Sequence, residues 1–208
     1  MCLILHKPAG TPVPFELIDA ASAFNRDGWG LMGFAADGEV LVERHAVVDP
    51  RAVAARIGQL QDAELLVHLR LRTRGSDAVE NGHPIKVSER FHLMHNGNIN
   101  RFKARVPGRS DSWHFAIDLL RPLAVNWPDA LAHPSFITLV EAGLTPDNKV
   151  VLMDAQARRL VFFNHQHGVE FEGLWLSSTR WIDRRRLPLA HAPQPQQKTY
   201  TAGDLDFV

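Results

Sequence analysis

Segments with the pattern of β-strands occur near both ends of this 208-residue chain, and two long segments with the pattern of helices precede the last strands. Apolar runs predict the strands, whereas apolar residues at helical spacing predict the helices. The predicted strands are 1–6, 29–35, 39–47, 64–71, 91–95, 149–154, 158–164 and 174–178, and the predicted helices are 15–24, 50–60, 112–126 and 129–142. This order favours an α+β fold of packed sheets with helices outside them, rather than a repeating βαβ unit.

Local signals mark several element boundaries. Asp49 is a predicted N-cap, because a proline follows it at the first position of a helix. The pair Asp37-Gly38 is typical of a tight hairpin turn. We expect the third helix to be interrupted near Pro122. Residues 72–90 are polar and contain glycine, so we predict a long loop, and loops of that length tend to be functional.

The composition allows one sizeable core, since 45% of the residues are hydrophobic and 22% are charged. We assign residues 1–187 to one domain and residues 188–208, which are rich in Pro and Gln, to a surface tail. Lys and Arg together number 23, and so do Asp and Glu. This balance gives no electrostatic reason to expect nucleic acid or a membrane surface as a partner.

The cysteine content and the first residues indicate a compartment. The single cysteine cannot form an internal disulfide, which suits a reducing environment. The first residues lack the basic leader and long apolar stretch of a signal peptide, and no apolar run reaches the length of a membrane span. We therefore expect a cytoplasmic protein.

Cys2 directly follows the initiator methionine. Because cysteine is small, we expect Met1 to be removed, which leaves a free α-amino group on Cys2. That amine has a reference pKa of about 7.7–8.0, close to the value of about 8.5 for a free thiol. Nucleophile and base would then belong to one residue. The alternative is a buried, inert cysteine, because free cysteine is among the most buried residue types.

Five polar segments follow Cys2. They are 25–30 (NRDGWG), 68–75 (HLRLRTRG), 81–84 (NGHP), 95–97 (HNG) and 110–112 (SDS). In this order they resemble the class II glutamine amidotransferases, the N-terminal-nucleophile glutaminases, over about residues 2–178. The resemblance implies the four-layer α/β/β/α sandwich of N-terminal nucleophile hydrolases, with Cys2 at the end of a central strand.

The resemblance also implies roles for single residues. It makes Cys2 the nucleophile that forms a thioester, and it assigns the oxyanion hole to Asn96 and Gly97. A side-chain amide and a backbone N–H on a tight turn are the donors that a tetrahedral oxyanion requires. The alternative is that Asn-Gly merely forms a turn. Asp27, Trp29 and Gly30 match a segment beneath the nucleophile and are expected to be mainly structural.

Four further positions match the family's substrate pocket. Arg70 corresponds to the arginine that binds the α-carboxylate of glutamine, and a guanidinium offers a carboxylate two parallel hydrogen bonds. Asp111 corresponds to the acid that receives the α-ammonium group. The alternative for either residue is a surface ion pair of little energetic weight. Thr73 and His83 match additional pocket positions.

The chain departs from the family pattern at Leu3, Leu71, Arg74 and Trp113, where the family commonly has glycine, an aromatic residue, histidine and an acid. These differences concern the pocket wall. The reaction expected from the resemblance is release of ammonia from glutamine. The alternatives are hydrolysis of another γ-glutamyl amide or peptide, and a non-enzymatic binding or regulatory subunit.

Partners and cofactors follow from the same reasoning. About thirty residues remain after the last predicted strand, which is too few for a second domain. A stand-alone glutaminase-type domain either hydrolyses its small-molecule substrate outright or supplies ammonia to a separate synthase subunit. The eleven histidines include the pairs His92/His95 and His165/His167, but strand spacing places the first pair on opposite faces and no acid or cysteine completes the second. We expect neither a metal nor a cofactor; the oligomeric state stays open.

Overall fold

Ten strands form two antiparallel sheets in the part of the chain that the computed structural model describes, residues 2–100 and 105–187. They are β1 (Leu3–Lys7), β2 (Trp29–Phe34), β3 (Val40–His45), β4 (Glu64–Leu69), β5 (Ile85–Lys86), β6 (Phe91–Asn96), β7 (Lys149–Asp154), β8 (Arg159–Phe163), β9 (Val169–Phe171) and β10 (Leu174–Leu176). The first sheet has the order β3-β2-β4-β1-β10-β9 and the second has β5-β6-β7-β8. Strand β1 is therefore central in its sheet. The predicted tail, 188–208, lies outside the described residues.

Side chains from the two sheets pack against each other in an inner apolar layer. Ile4, Met32 and Leu66 of the first sheet belong to one buried cluster with Met94 and Val151 of the second. We call this cluster the inter-sheet layer.

Helices cover the outer face of each sheet. They are α1 (Phe15–Ser22) and α2 (Pro50–Gln59) on the first sheet, and α3 (Asp111–His114), α4 (Arg121–Asn126) and α5 (Pro134–Gly143) on the second. The α+β fold and its four-layer α/β/β/α sandwich are therefore confirmed. No helix among the described residues is both long and apolar enough to cross a membrane.

Two local predictions are confirmed. The carboxylate of Asp49 accepts the N–H of Arg51 at 2.9 Å and caps α2, which begins at a proline. Between β2 and β3 the chain turns at Gly38, whose φ is +91°. Its N–H donates to the carbonyl of Ala35 at 2.8 Å. Capping and turn chemistry act over a few residues, which is why they can be predicted from sequence.

The predicted third and fourth helices are wrong in detail. Residues Pro128–Ala132 form a 3₁₀ helix, and α5 begins only at Pro134. His133 is extended there (ψ 136°), because the residue before a proline avoids the α region. In the third helix the change of pitch comes before Pro122, as a π-helical segment over Phe115–Leu120. Pro122 then lies in the first turn of α4.

Two short strands were not predicted. Strand β5 lies within the predicted loop 72–90, which also contains a 3₁₀ helix at Val79–Asn81. Strand β9 pairs with β10 across a turn in which Glu172 and Gly173 both have positive φ, 50° and 78°. Strands of two or three residues are too short to show a periodic pattern, and pairing with a longer neighbour stabilises them.

Candidate active site

Cys2 joins the two sheets. Its backbone N–H donates to Asn96 Oδ1 at 2.9 Å, and Asn96 is the last residue of β6 in the opposite sheet. The thiol is half-buried and donates to the carbonyl of Leu71 at 3.4 Å. Burial raises the pKa of the Cys2 thiol, because a thiolate is poorly solvated there. The resting sulfur is therefore a neutral thiol that needs a base to become a nucleophile.

The side-chain amide of Asn96 is held at both ends. Besides accepting from Cys2, it donates from Nδ2 to Ser177 Oγ at 2.9 Å. The Ser177 hydroxyl also accepts the N–H of Ile4 at 2.9 Å and thereby attaches the amide to β1. A primary amide has two N–H donors, so one of them remains for a ligand. Sequence reasoning missed Ser177, because a single serine beside a short strand carries no signal.

Gly97 occupies a position that no other residue fits. Its φ is +141°, and a Cβ there would lie 2.4 Å from Asn148 Oδ1 and 2.8 Å from the Asn148 Cα. Glycine is therefore required by both backbone conformation and close approach. The chain reverses directly after Asn96, which brings the Gly97 backbone to the wall of the cavity that contains Cys2.

His95 lies on the opposite face of β6 from Asn96 and anchors the helical layer. Its Nδ1 contacts Ser112 Oγ at 2.7 Å, and its Nε2 contacts Asn148 Oδ1 at 2.9 Å. Burial lowers the pKa of His95, so the ring is held neutral. We assign His95 a structural role, because both ring nitrogens are already paired.

Arg70 follows β4 and is buried, with 8% of its surface exposed. Its Nη2 donates to the carbonyl of Ser76 at 3.0 Å. Among the described residues, no carboxylate lies within ion-pair distance of this guanidinium. Burying a charge without a counter-charge is strongly unfavourable, so the arrangement favours an anionic ligand. Arg70 therefore does not form the surface ion pair that was considered as the alternative.

Asp111 is the first residue of α3 and is also 8% exposed. Its Oδ2 accepts the N–H of Ile99 at 2.6 Å, which orients the carboxylate. No cationic side chain within residues 2–100 and 105–187 forms an ion pair with it. Arg70 and Asp111 thus carry opposite charges, and neither neutralises the other.

A small cavity brings together six of the seven residues predicted from sequence. Its wall includes Cys2, Arg70, Thr73, His83, Gly97 and Asp111. We call this space the Cys2 cavity. Asn96, the seventh residue, contacts Cys2 from the inter-sheet side instead. The hydroxyl of Thr73 donates to Asn98 Oδ1 at 3.1 Å, which links the segment after β4 to the segment after Gly97.

His83 and His68 form a buried aromatic pair beside this cavity. Their ring centroids are 4.2 Å apart. Neither ring nitrogen of His83 has a hydrogen-bond partner among the described residues, and neither has Nδ1 of His68. Burial lowers the pKa of His68 to about 3 and lowers that of His83 well below its usual value. Both rings are therefore neutral. The Nε2–H of His68 donates to the carbonyl of His95 at 3.3 Å, so its Nδ1 is an acceptor, whereas His83 has one donor and one acceptor.

The described part of the chain contains no group of three or more His, Cys, Asp or Glu residues arranged to hold a metal ion. His92 and His95 lie on opposite faces of β6, as strand geometry requires. His165 stacks on Trp175 with ring centroids 5.0 Å apart.

Comparison with known families agrees with this fold. A family model described as glutamine amidotransferases class-II matches residues 8–149. The match covers more than half of the chain, and the chain therefore belongs to the class II glutamine amidotransferases. The resemblance derived from the sequence segments is confirmed. The matched range does not include Cys2 itself.

Two solved structures are similar to the chain at low identity. The first is a glutamine phosphoribosylpyrophosphate amidotransferase from B. subtilis, with 12% identity, a TM-score of 0.46, and coverage of 88% of this chain and 43% of that one. The second is a glutamine aminotransferase class-II domain protein from Silicibacter pomeroyi, with 20% identity, a TM-score of 0.37, and coverage of 74% and 73%. The chain thus spans less than half of the B. subtilis protein. No curated protein sequence matches the chain.

Proposed function

We propose that this protein hydrolyses the side-chain amide of glutamine to glutamate and ammonia, with Cys2 as the nucleophile once Met1 has been removed. The observation that carries the proposal is the pair of unneutralised charges, Arg70 and Asp111, in the cavity of the Cys2 thiol. A free amino acid presents an α-carboxylate and an α-ammonium group. Arg70 is opposite in charge to the α-carboxylate and Asp111 to the α-ammonium group, and each has the hydrogen-bonding groups that its partner needs.

In this mechanism the α-amine of Cys2 is the general base. Its nitrogen is the atom that donates to Asn96 Oδ1, so the amide of Asn96 orients it. The neutral amine takes the thiol proton directly or through one water molecule, because its reference pKa of about 7.7–8.0 is close to working pH. The thiolate then attacks the side-chain carbonyl carbon of glutamine.

The carbonyl oxygen becomes an oxyanion as the carbon–sulfur bond forms. The free N–H of the Asn96 amide and the backbone N–H of Gly97 donate to it. The proton held by the amine moves to the leaving nitrogen, the carbon–nitrogen bond breaks, and ammonia departs from a thioester. Water then attacks the thioester, which releases glutamate and returns the proton to sulfur.

The Cys2 cavity measures about 30 Å³, which is roughly the volume of one water molecule. Residues 72–74 form the exposed part of the cavity wall, and we infer that they shift outward when glutamine binds.

A second candidate substrate is a γ-glutamyl amide or peptide. Leu71 and Arg74 line the cavity at positions where the family commonly has an aromatic residue and a histidine, so the wall differs in size and charge. Both substrates use the same thioester. Ammonia released from glutamine, compared with amine released from γ-glutamyl anilide, distinguishes the two. Turnover of neither by protein whose mass shows removal of Met1 would instead favour a non-catalytic binding subunit.

The cellular setting is part of the same proposal. The chain acts in the cytoplasm and either works alone on a small molecule or passes ammonia to a separate synthase subunit. Co-purification of a synthase whose amination then runs on glutamine supports the second arrangement. Glutamine hydrolysis at the same rate with and without other proteins supports the first.

The pH dependence of kcat/KM identifies the base. We expect kcat/KM to rise with pH over the range in which an α-amine titrates, about pH 7–8, because only the neutral amine accepts the thiol proton. The residual activity of Cys2→Ser should show the same acid limb, because that variant keeps the amine and loses the thiol. Disappearance of the limb in Cys2→Ser would assign it to the thiol and contradict this mechanism.

Ser177 tests the support of the oxyanion donor. We expect Ser177→Ala to lower kcat about tenfold and to leave KM nearly unchanged, because the Asn96 amide loses one of its two anchors. The free energy of unfolding should fall by about 1–3 kcal/mol, since the buried N–H of Ile4 is left unpaired.

Ser22→Ala is the matched control for this variant. Ser22 is also buried, but its hydroxyl has no partner among the described residues. Its removal should change neither kcat nor the free energy of unfolding appreciably. An equal loss of kcat in both serine variants would show that Ser177 acts through general stability alone.

A further inference from the structure

A second cavity of about 380 Å³ lies next to the Cys2 cavity. The segment after β4 contributes different residues to the two spaces, with 72–74 and 81 on the Cys2 side and 77–79 and 82 on the other. Arg70 and His83 line both. Cys2 lines only the first, so a group bound in the second cavity does not contact the thiol.

The second cavity is positively charged. Arg26, Arg44 and Arg70 line it, and none of them has a carboxylate within ion-pair distance in the described parts of the chain. Their side chains donate only to carbonyl oxygens, those of Ala23, Val79 and Ser76. Each guanidinium has five N–H donors, so most of them are unused.

The two acidic residues of this cavity are already engaged. Asp27 Oδ2 accepts the backbone N–H of Arg72 at 2.6 Å, and Asp77 forms an ion pair with the Arg72 side chain. The charge of Asp77 is therefore balanced by Arg72, whereas Asp27 offsets one of the three arginine charges and leaves the cavity with a net positive charge.

Two buried histidines also form part of this wall. His68 and His83 line the cavity and are 1% and 6% exposed. Three of their four ring nitrogens have no partner within residues 2–100 and 105–187.

We propose that the second cavity binds a small organic phosphate, with the phosphoryl group among Arg26, Arg44 and Arg70. A carboxylate offers two oxygens and one negative charge, whereas a phosphoryl group has three exposed oxygens and nearly two negative charges, which suit three guanidinium groups better. The ligand is organic because the volume is that of a small-molecule site, far larger than an inorganic ion. The wall also includes the indole of Trp29, which stacks on His45.

Isothermal titration of the full chain with phenyl phosphate tests this proposal. We expect one phenyl phosphate per chain, and binding about tenfold weaker in Arg26→Ala and in Arg44→Ala, because each variant loses charged hydrogen bonds. Arg51→Ala is the matched control, since Arg51 is an exposed arginine outside the cavity, and it should bind like the unmodified chain. No binding at millimolar phenyl phosphate, or equal binding by Arg44→Ala and the unmodified chain, would overturn the proposal.

Phenol and inorganic phosphate test separately what the phosphoryl group and the phenyl ring contribute to binding. Phenol should not bind measurably, because it lacks the phosphoryl group. Inorganic phosphate should bind about tenfold more weakly than phenyl phosphate, because it buries no apolar surface. Equal affinity for inorganic phosphate and phenyl phosphate would overturn the assignment of an organic ligand.

A kinetic consequence rests on the proposed glutaminase function. Both anions draw on the Arg70 guanidinium, so saturating phenyl phosphate should raise the KM for glutamine and leave kcat unchanged. An unchanged KM for glutamine at saturating phenyl phosphate would contradict the proposal that both anions bind Arg70. Direct titration is independent of catalysis, so a failed glutaminase assay and a failed ligand site give different results.

Discussion

Replacing Cys2 with alanine should lower kcat for glutamine by about 10⁶-fold, the order of loss found when a catalytic nucleophile is removed. The fold should persist, because the half-buried thiol makes one weak contact and the backbone N–H that binds Asn96 remains. Alanine is as compatible with removal of Met1 as cysteine is, so both proteins should have matching termini by intact mass. Ammonia release and the melting temperature are the two measurements.

Chemical modification provides an independent control. The chain has one cysteine, so a single carbamidomethyl group after iodoacetamide treatment reports on Cys2 alone. Activity should fall in step with the mass increase, and glutamine should slow both. Full activity in Cys2→Ala, or in the fully modified protein, would exclude Cys2 as the nucleophile.

Asp111→Asn should lower kcat/KM for glutamine by about 100-fold, because the substrate ammonium loses a buried charged partner. The asparagine oxygen can still accept the N–H of Ile99, so the start of α3 should be preserved. Most of the loss should appear in KM, since the ammonium group is bound equally in the ground state and the transition state.

A substrate without the ammonium group makes this prediction specific. Glutaramate lacks it, and the unmodified protein should prefer glutamine over glutaramate by about 100-fold. In Asp111→Asn that preference should nearly vanish. Asp129→Asn, which changes an exposed acid outside the cavity, should keep the full preference. A preference retained in Asp111→Asn would show that another group binds the ammonium.

The parts of the fold that the sequence predicted are those set by local chemistry. Strands β2 and β3 were placed within about two residues because their turn contains Gly38, which supplies the positive φ. The split at Pro134 was missed because the apolar spacing continues across it, although proline breaks the backbone hydrogen bonding. Strand β9 was missed because its pairing with β10 is a tertiary contact.

The residues of the candidate site also fall into those that local sequence indicates and those that only tertiary contacts reveal. Cys2, Arg70 and Asp111 were selected because each belongs to a short segment whose chemistry resembles a known family. Ser177 was not, since its role depends on contacts with Ile4 and Asn96 that lie 173 and 81 positions away in the sequence. Only the packing of the two sheets reveals that role, and no local pattern encodes it. The second cavity has no local signal either, because its wall depends on the path that the segment after β4 takes in the folded chain.

Cys2 directly precedes β1 in the first sheet, and Asn96 ends β6 in the second sheet. The 2.9 Å hydrogen bond between these two residues therefore depends on the distance between the two sheets. Methionine is the most deformable apolar residue, and Met32, Met94 and Met153 fill much of the space between them. A larger side chain at Met94 should push the two sheets apart. A separation of a few tenths of an ångström should lower turnover before it lowers the melting temperature.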